Sequence, residues 1–459
     1  MAARASYREL VRLTGPWFLV LAFLARLPAA MGPLGVITLV VSATGSYGTG
    51  GLAAAAFGVG AALGGPVVGT LADRFGQRVV GLVSAVVDAL AYAALVGAVL
   101  GGMQAAVLPL AALAGFAMPQ VGPLVRVRWA VLLGDRGQQR RLPTAMAYEG
   151  AADEASFLAG PALVGVLALS GWAGAPLLLA ALLTVLATIP FALHRTAPPV
   201  LRAPRGGGRR ASLAGARPND RLPQSAAGDT RIAGQARTAG DTRTAVRGAT
   251  AVARFPLARV AVLVAAMSVI GVVFGATQTG VTAFADSIGS AGSAGLIYAV
   301  LGVGSALAGL AVAWLPESLG PVSRYVWSAA ALVAGTAALL LAHSTATALG
   351  AVVVLGVTAA PYLISGYALA GRLSPPRHAG MVMTLLASGV VGGVSLGAAV
   401  AGRLADAYGY RGAFAVPLAA ALAGLVLALL VAPRLRRAAR AEAARPAAPE
   451  PRHPALTSA

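Results

Sequence analysis

The chain has 459 residues, of which 58% are hydrophobic and 11% charged, and its mean hydropathy is +0.78. An ordinary soluble domain is about 25% charged and a disordered chain needs low hydrophobicity, so both are excluded. The net charge is +20 and there is no cysteine, which removes disulfides, thiolate metal sites and cysteine nucleophiles.

All 35 basic residues are arginine. In a soluble protein such a balance would suggest nucleic acid. In a chain this apolar it is the signature of cytoplasmic loops between membrane spans, so the expected partner is the lipid bilayer and no nucleic acid is expected. One helical span takes about 20 apolar residues. The apolar runs predict helical spans near 15–43, 51–72, 79–100, 104–133, 144–170, 173–194, 258–286, 291–315, 324–343, 346–371, 379–401 and 411–433. They are long and continuous, unlike the alternating segments of about ten residues in a membrane barrel. The first is too long for a signal peptide's apolar region and has no clean cleavage site after it.

The connections alternate in charge. Arg4, Arg8 and Arg12 precede the first span, and Asp73, Arg74 and Arg78 lie between the second and third. Arg136, Arg140 and Arg141 follow the fourth, and Arg434, Arg436, Arg437 and Arg440 follow the last. The loops 44–50, 101–103 and 171–172 carry no charge. The positive-inside rule then places both termini in the cytoplasm of a multi-pass cell-membrane protein. The loop 402–411, expected outside, fits less well because it holds Arg403 and Arg411 with Asp406.

The stretch 195–257 is rich in Ala, Gly, Pro and Arg and repeats Gly-Asp-Thr-Arg at 228–231 and 240–243. It cannot bury a core and is expected to be a disordered, basic cytoplasmic linker. The division is therefore an N-terminal six-helix bundle over 1–194, the linker over 195–257, a C-terminal six-helix bundle over 258–433 and a disordered tail over 434–459.

Glycine concentrates in the second, fifth, eighth and eleventh spans: Gly60, Gly64, Gly65 and Gly69; Gly160 and Gly165; Gly302, Gly304 and Gly309; Gly389, Gly392, Gly393 and Gly397. Small residues four apart allow close helix contact. The period of three helices suggests four repeated units whose equivalent helices join the two halves. One echo supports this: residues 69–78 and 402–411 agree at six of ten positions, the first copy expected inside and the second outside.

Ionisable side chains within spans are functional candidates by default. These are Arg26, Asp88, Arg126, Arg128, Glu149, Asp153 and Glu154. At 1.5 Å per residue, Arg26, Asp88, Arg126, Glu149 and Asp153 lie about 8 to 16 Å from the arginine-rich face. Glu149 and Asp153, four apart, share a helix face. Two close carboxylates raise one pKa, which suits a proton carrier with Arg126 as counter-charge; a structural salt bridge fits the same residues. Arg26 suits either an anionic substrate or these acids. Neutral cavity candidates in the second half are Gln278, Thr279, Tyr298, Tyr362, Ser365 and Tyr367, although interhelical hydrogen bonding would also account for such residues.

The stretch Gly69-Thr70-Leu71-Ala72-Asp73-Arg74-Phe75-Gly76-Gln77-Arg78 resembles the loop 2–3 signature of the major facilitator superfamily. The resemblance implies an all-α membrane protein of twelve helices in two pseudo-symmetric six-helix bundles, working by alternating access. It makes Gly69, Asp73, Arg74, Gly76 and Arg78 a gating latch, with the glycines permitting close packing and a tight turn. Asp73 would face the positive N-terminus of a neighbouring helix. The corresponding loop 316–323 in the second half is degraded. Gly160-Pro161-Ala162-Leu163-Val164-Gly165 resembles, in part, the antiporter signature of exporter branches. The fourth span lacks the family's Arg-x-x-Gln-Gly pattern: Ala117 stands at the arginine position and Val121 follows Gln120.

The four histidines, His194, His343, His378 and His453, form no metal motif. With no lysine there is no phosphate-binding Gly-x-x-x-x-Gly-Lys loop, so ATP-driven transport by this chain alone is excluded. No enzyme activity, metal or cofactor is expected. The expectation is a monomeric secondary transporter that uses the proton gradient to export a small organic, drug-like compound. Solute uptake is the alternative, followed by a non-transporting receptor or scaffold.

Overall fold

The computed structural model describes residues 9–198, 257–312, 320–373 and 379–443. The linker expected over 195–257 and the last part of the tail lie almost entirely outside these residues.

The first apolar run forms two helices, α1 (Pro16–Leu24) and α2 (Leu27–Thr44). The interruption has a local cause: Pro28 has no N–H to offer the carbonyl of Leu24. Gly45, at φ 67°, ends α2. Ser46 then caps α3 (Tyr47–Phe75), its Oγ accepting from the Thr49 N–H at 3.1 Å. Gly76, at φ 92° and ψ 148°, separates α3 from α4 (Gln77–Leu100), a conformation that only glycine adopts without strain.

The fourth run is also broken. α5 (Gln104–Ala117) stops before Met118-Pro119-Gln120, and α6 (Val121–Asp135) resumes. A short turn of 3-10 helix leads into α7 (Leu142–Ala168). The sixth run comprises α8 (Ala175–Leu183), one π-helical turn over Thr184–Thr188, and α9 (Ile189–Leu193). The second half holds α10 (Leu257–Ser287), α11 (Ala294–Val312), α12 (Pro321–Ala338), α13 (Thr345–Leu373) and α14 (Ala379–Ala443). No strand occurs among the described residues.

Two expectations need correction. The loop placed at 402–411 is helical up to a single reversal at Gly409 (φ 66°, ψ −166°), where two helices meet within α14. One glycine with positive φ replaces the expected ten-residue connection. Residues 434–443, placed in a disordered tail, are helical, because α14 continues through Ala443; the rest of that tail lies outside the described residues. Among the described residues, eleven helical stretches are long and apolar enough to cross a membrane, the last being the interrupted Val382–Arg437.

The halves meet along two helix pairs, α3 with α14 and α7 with α11. These are the second, eleventh, fifth and eighth spans of the glycine pattern. At the first crossing, a Cβ at Gly51 would strike the carbonyl of Ala398 and one at Gly58 would strike Ser395 Oγ. At the second, a Cβ at Gly165 would meet the backbone of Gly295 and Leu296. Several glycines named from the sequence serve their own half instead: Gly60 and Gly64 admit Ala112 and Phe116 of α5, while Gly393 and Gly397 admit Ser268 and Val272 of α10. Gly69, Gly309 and Gly392 have nothing within 4 Å of an added Cβ, so close packing does not explain them.

Candidate functional site

The break between α1 and α2 carries Arg26, a residue only 5% exposed. Its guanidinium is held on three sides. Nη1 donates to the Ala22 carbonyl at 2.7 Å, Nε donates to Asp153 Oδ1 at 2.8 Å, and Nη2 donates to Glu149 Oε2. Glu149 is fully enclosed, and its second oxygen accepts from the indole N–H of Trp129 at 2.6 Å. Asp153 is 28% exposed, and its second oxygen accepts from Arg126 Nη2 at 2.5 Å. Two acids and two arginines thus form one chain of alternating charge across α1/α2, α6 and α7, with every carboxylate oxygen engaged.

Local sequence explains why the groups converge. Glu149 and Asp153 are one turn apart on α7, and Arg126 and Trp129 are three apart on α6, so each pair presents to one side. Charged hydrogen bonds are the strong ones. A buried carboxylate without them would carry a large desolvation cost. Glu154, the neighbour of Asp153, is exposed.

The other intramembrane charges do not join this network. Arg128 is 1% exposed and donates to Gln77 Oε1 at 2.8 Å and to the Phe191 carbonyl at 2.7 Å. Its guanidinium lies 3.9 Å from the Phe191 ring centroid, so it ties α6 to the start of α4 and to α9. Asp88 is wholly buried on α4. It accepts one hydrogen bond, from Thr184 Oγ1 at 3.1 Å, and its Oδ1 has no partner.

Around the 69–78 stretch, Gly76 makes the positive-φ turn expected of it. Asp73, Arg74 and Arg78 are exposed, and Arg74 lies over the ring of Phe75 at 5.2 Å. Asp73 makes no hydrogen bond or ion pair among the described residues. In the fifth span, Gly160 lets α7 approach Ala30 of α2, and Pro161 and Gly165 lie against Gly295 of α11. The antiporter-like stretch therefore sits where α7 crosses both its own half and the other.

The neutral candidates of the second half divide. Tyr362 is fully buried; its hydroxyl donates to the Ala266 carbonyl at 2.8 Å and lies 3.1 Å from the Tyr325 hydroxyl. It ties three helices together rather than offering a free polar group. Thr279 returns its hydroxyl to the Gly275 carbonyl. Gln278 interacts with Tyr298 and keeps an unpartnered Oε1. Ser365 is half-buried on α13.

Reasoning from the sequence missed two groups. Trp129 is one, although its position three residues after Arg126 placed it on the same face. The other lies on the face opposite the arginine-rich loops. There Asp406 accepts from the backbone N–H groups of Tyr47 at 2.7 Å and Gly48 at 2.9 Å, and Tyr47 donates its hydroxyl to Asp286 at 2.6 Å. The echo between 69–78 and 402–411 was the signal that pointed to Asp406.

The model of the Major Facilitator Superfamily matches residues 18–355 and 263–459, which together span nearly the whole chain. The chain belongs to the Major Facilitator Superfamily. It is accordingly a multi-pass membrane transporter and not an enzyme. No curated protein matches it in sequence. Among solved structures it is similar to the nucleoside transporter NupG, with 17% identity and a TM-score of 0.63 over 92% of this chain and 98% of that one. It is also similar to a bacterial homologue of the iron transporter ferroportin in an inward-facing state, with 15% identity and a TM-score of 0.62 over 92% and 99%. A third is an auto-inhibited peptide transporter of the POT family, with 16% identity and a TM-score of 0.62 over 95% and 99%. At these identities the likeness is one of superfamily fold.

Proposed function

We propose that this superfamily member is a proton-coupled exporter of a small organic compound, with the Arg26–Glu149–Asp153–Arg126 network as its proton site. The supporting observation is that two carboxylates share one arginine, Arg26, while each has one further donor of its own. A proton taken up by Asp153, the more accessible acid, removes its charge and loosens its bonds to Arg26 and Arg126. Arg26 then pairs with Glu149 alone. Because Arg26 stands at the interruption between α1 and α2 and the acids stand on α7, this exchange alters how those helices are held together. A cationic substrate that competes with the arginines for the Asp153 carboxylate would be released by the same proton, which is the logic of antiport.

Export as the direction is supported by the antiporter-like stretch Gly160-Pro161 to Gly165 at the α7–α11 crossing. The proposed arrangement is twelve spans, supported by counting α14 as two joined at Gly409 among the described residues, with both termini cytoplasmic, in the cell membrane, as a monomer. Energy comes from the proton gradient, with no metal or cofactor.

The test is substrate-induced dissipation of a pH gradient in inverted membrane vesicles. The panel contains amphipathic drugs together with nucleosides and short peptides, the latter two taken from the names of similar structures. The parent should dissipate the gradient with some compounds, and Glu149→Gln/Asp153→Asn should abolish the effect at equal expression. Dissipation that survives in the variant would refute the proton site. Accumulation of a compound by whole cells, without dissipation in vesicles, would reverse the direction.

A further inference from the structure

The first turn of a helix carries N–H groups that have no partner inside the helix, and its end is electropositive. In α3 the Thr49 N–H is capped by Ser46 Oγ, and the two donors before it, on Tyr47 and Gly48, are satisfied from the other half of the protein. Asp406, near the end of the first arm of α14, places Oδ1 on the Tyr47 N–H at 2.7 Å and Oδ2 on the Gly48 N–H at 2.9 Å. Oδ2 also accepts from the Ser46 hydroxyl at 2.8 Å. The seat is shaped for the carboxylate, since a Cβ at Gly48 would come within 2.7 Å of Oδ2. Gly402, one turn before Asp406, lets the α14 backbone reach the Tyr47 carbonyl. A second strut stands beside the first: Tyr47 donates its hydroxyl at 2.6 Å to Asp286, near the end of α10.

Asp406 occupies in its stretch the position that Asp73 occupies in the 69–78 stretch. The two lie at opposite faces of the molecule and are in opposite conditions. Asp406 is engaged across the halves, whereas Asp73 is exposed and makes no bond among the described residues.

We infer that Asp406 is a gating residue, a latch that clasps the N-terminus of α3 and holds the halves together at the face opposite the arginine-rich loops. It is an inverted counterpart of the Asp73 stretch, and the two latches are closed in opposite conformations of the transport cycle. Substrate passage through that face requires the Asp406 bonds to α3 and the Tyr47–Asp286 bond to break.

The chain has no cysteine, so an introduced one reports without background. Ala398, 1% exposed, packs against Ile37 and Ala54 of the opposite half beneath the latch. Ala398→Cys in nanodiscs should react slowly with a bulky maleimide. Adding Asp406→Asn keeps the side chain's size but removes its charge and one acceptor. Losing charged hydrogen bonds should raise the labelling rate by about tenfold. Adding Asp73→Asn should not raise it. Ala145→Cys, fully buried in the core of the first half, distinguishes gate opening from unfolding. Faster labelling at position 398 with no change at position 145 supports the latch. No rise at position 398, or equal rises at both positions, would overturn it.

Discussion

The charge network makes a sharp prediction about which arginine matters for stability. Among the described residues, Arg26→Gln removes the one cation that contacts Glu149, a carboxylate with no solvent exposure, and leaves it the indole N–H of Trp129 as its remaining charge-stabilising donor. Breaking a buried pair by deleting one partner costs about 3–5 kcal/mol, because the surviving charge stays buried. Arg126→Gln removes one bond from a side chain that is itself 37% exposed, and Asp153 keeps Arg26. That resembles a surface pair, worth about 0–1 kcal/mol. The double variant Arg26→Gln/Glu149→Gln has no stranded charge and should recover about 2–3 kcal/mol of the single loss, within the coupling energies usual for contacting residues. Unfolding followed by tryptophan fluorescence in detergent ranks the variants, with transport activity measured separately. The expected order of stability is parent, Arg126→Gln, the double variant, then Arg26→Gln. If Arg126→Gln costs as much as Arg26→Gln, or if the double variant loses the sum of its parts, Arg26 does not neutralise Glu149 as the geometry requires.

Two further outcomes follow from packing and from the second buried acid. A methyl group at Gly58 meets Ser395 Oγ, a side-chain atom, whereas one at Gly51 meets the backbone carbonyl of Ala398. Gly58→Ala should therefore depress transport and be largely restored by Ser395→Ala, while no side-chain change on α14 should restore Gly51→Ala; rescue of neither, or of both, in a whole-cell transport assay would count against this crossing of α3 and α14. Asp88 buries a carboxylate with one hydrogen bond and an unpartnered oxygen. Asp88→Asn should cost no more than about 1 kcal/mol and leave proton coupling intact, and loss of coupling in the vesicle assay would show instead that Asp88 carries the proton.

What was legible in the sequence depended on how local its cause is. Apolar runs of span length give the helices directly, because each span satisfies its own backbone. The Pro28 and Pro119 interruptions leave hydropathy unchanged, so two runs read as continuous helices come apart at Arg26 and before Val121. The acids of α7 were visible as an i, i+4 pair. Their partners were not, since Arg26 lies 123 residues from Glu149 in the chain and only the packing of α1/α2 on α7 brings them together.

Glycine illustrates the same boundary from the other side. Its period of three helices correctly picks out the four helices that join the halves, because close approach there leaves no room for a Cβ. It does not assign individual glycines, since a helix crossing its own half and the opposite half uses glycine on both faces: Gly60 and Gly64 of α3 admit α5, while Gly51 and Gly58 of the same helix admit α14. The repeated stretch is informative for a related reason. An aspartate beside a glycine turn reads as a charged loop wherever it occurs, and the residues at 402–411 give no sign of what they clasp. The partner, the N–H groups of Tyr47 and Gly48 at the start of α3, is presented by the Gly45–Ser46 turn about 360 residues earlier. Under the proposed pair of latches, which aspartate is engaged is a property of the conformation rather than of the sequence, and both contacts must be breakable. That requirement fits the exposure of Asp73 and Asp406 at helix ends, where water can replace each lost hydrogen bond, while the proposed proton site lies inside the first half, where Glu149 stays enclosed and the half-buried Asp153 is the acid free to exchange its proton.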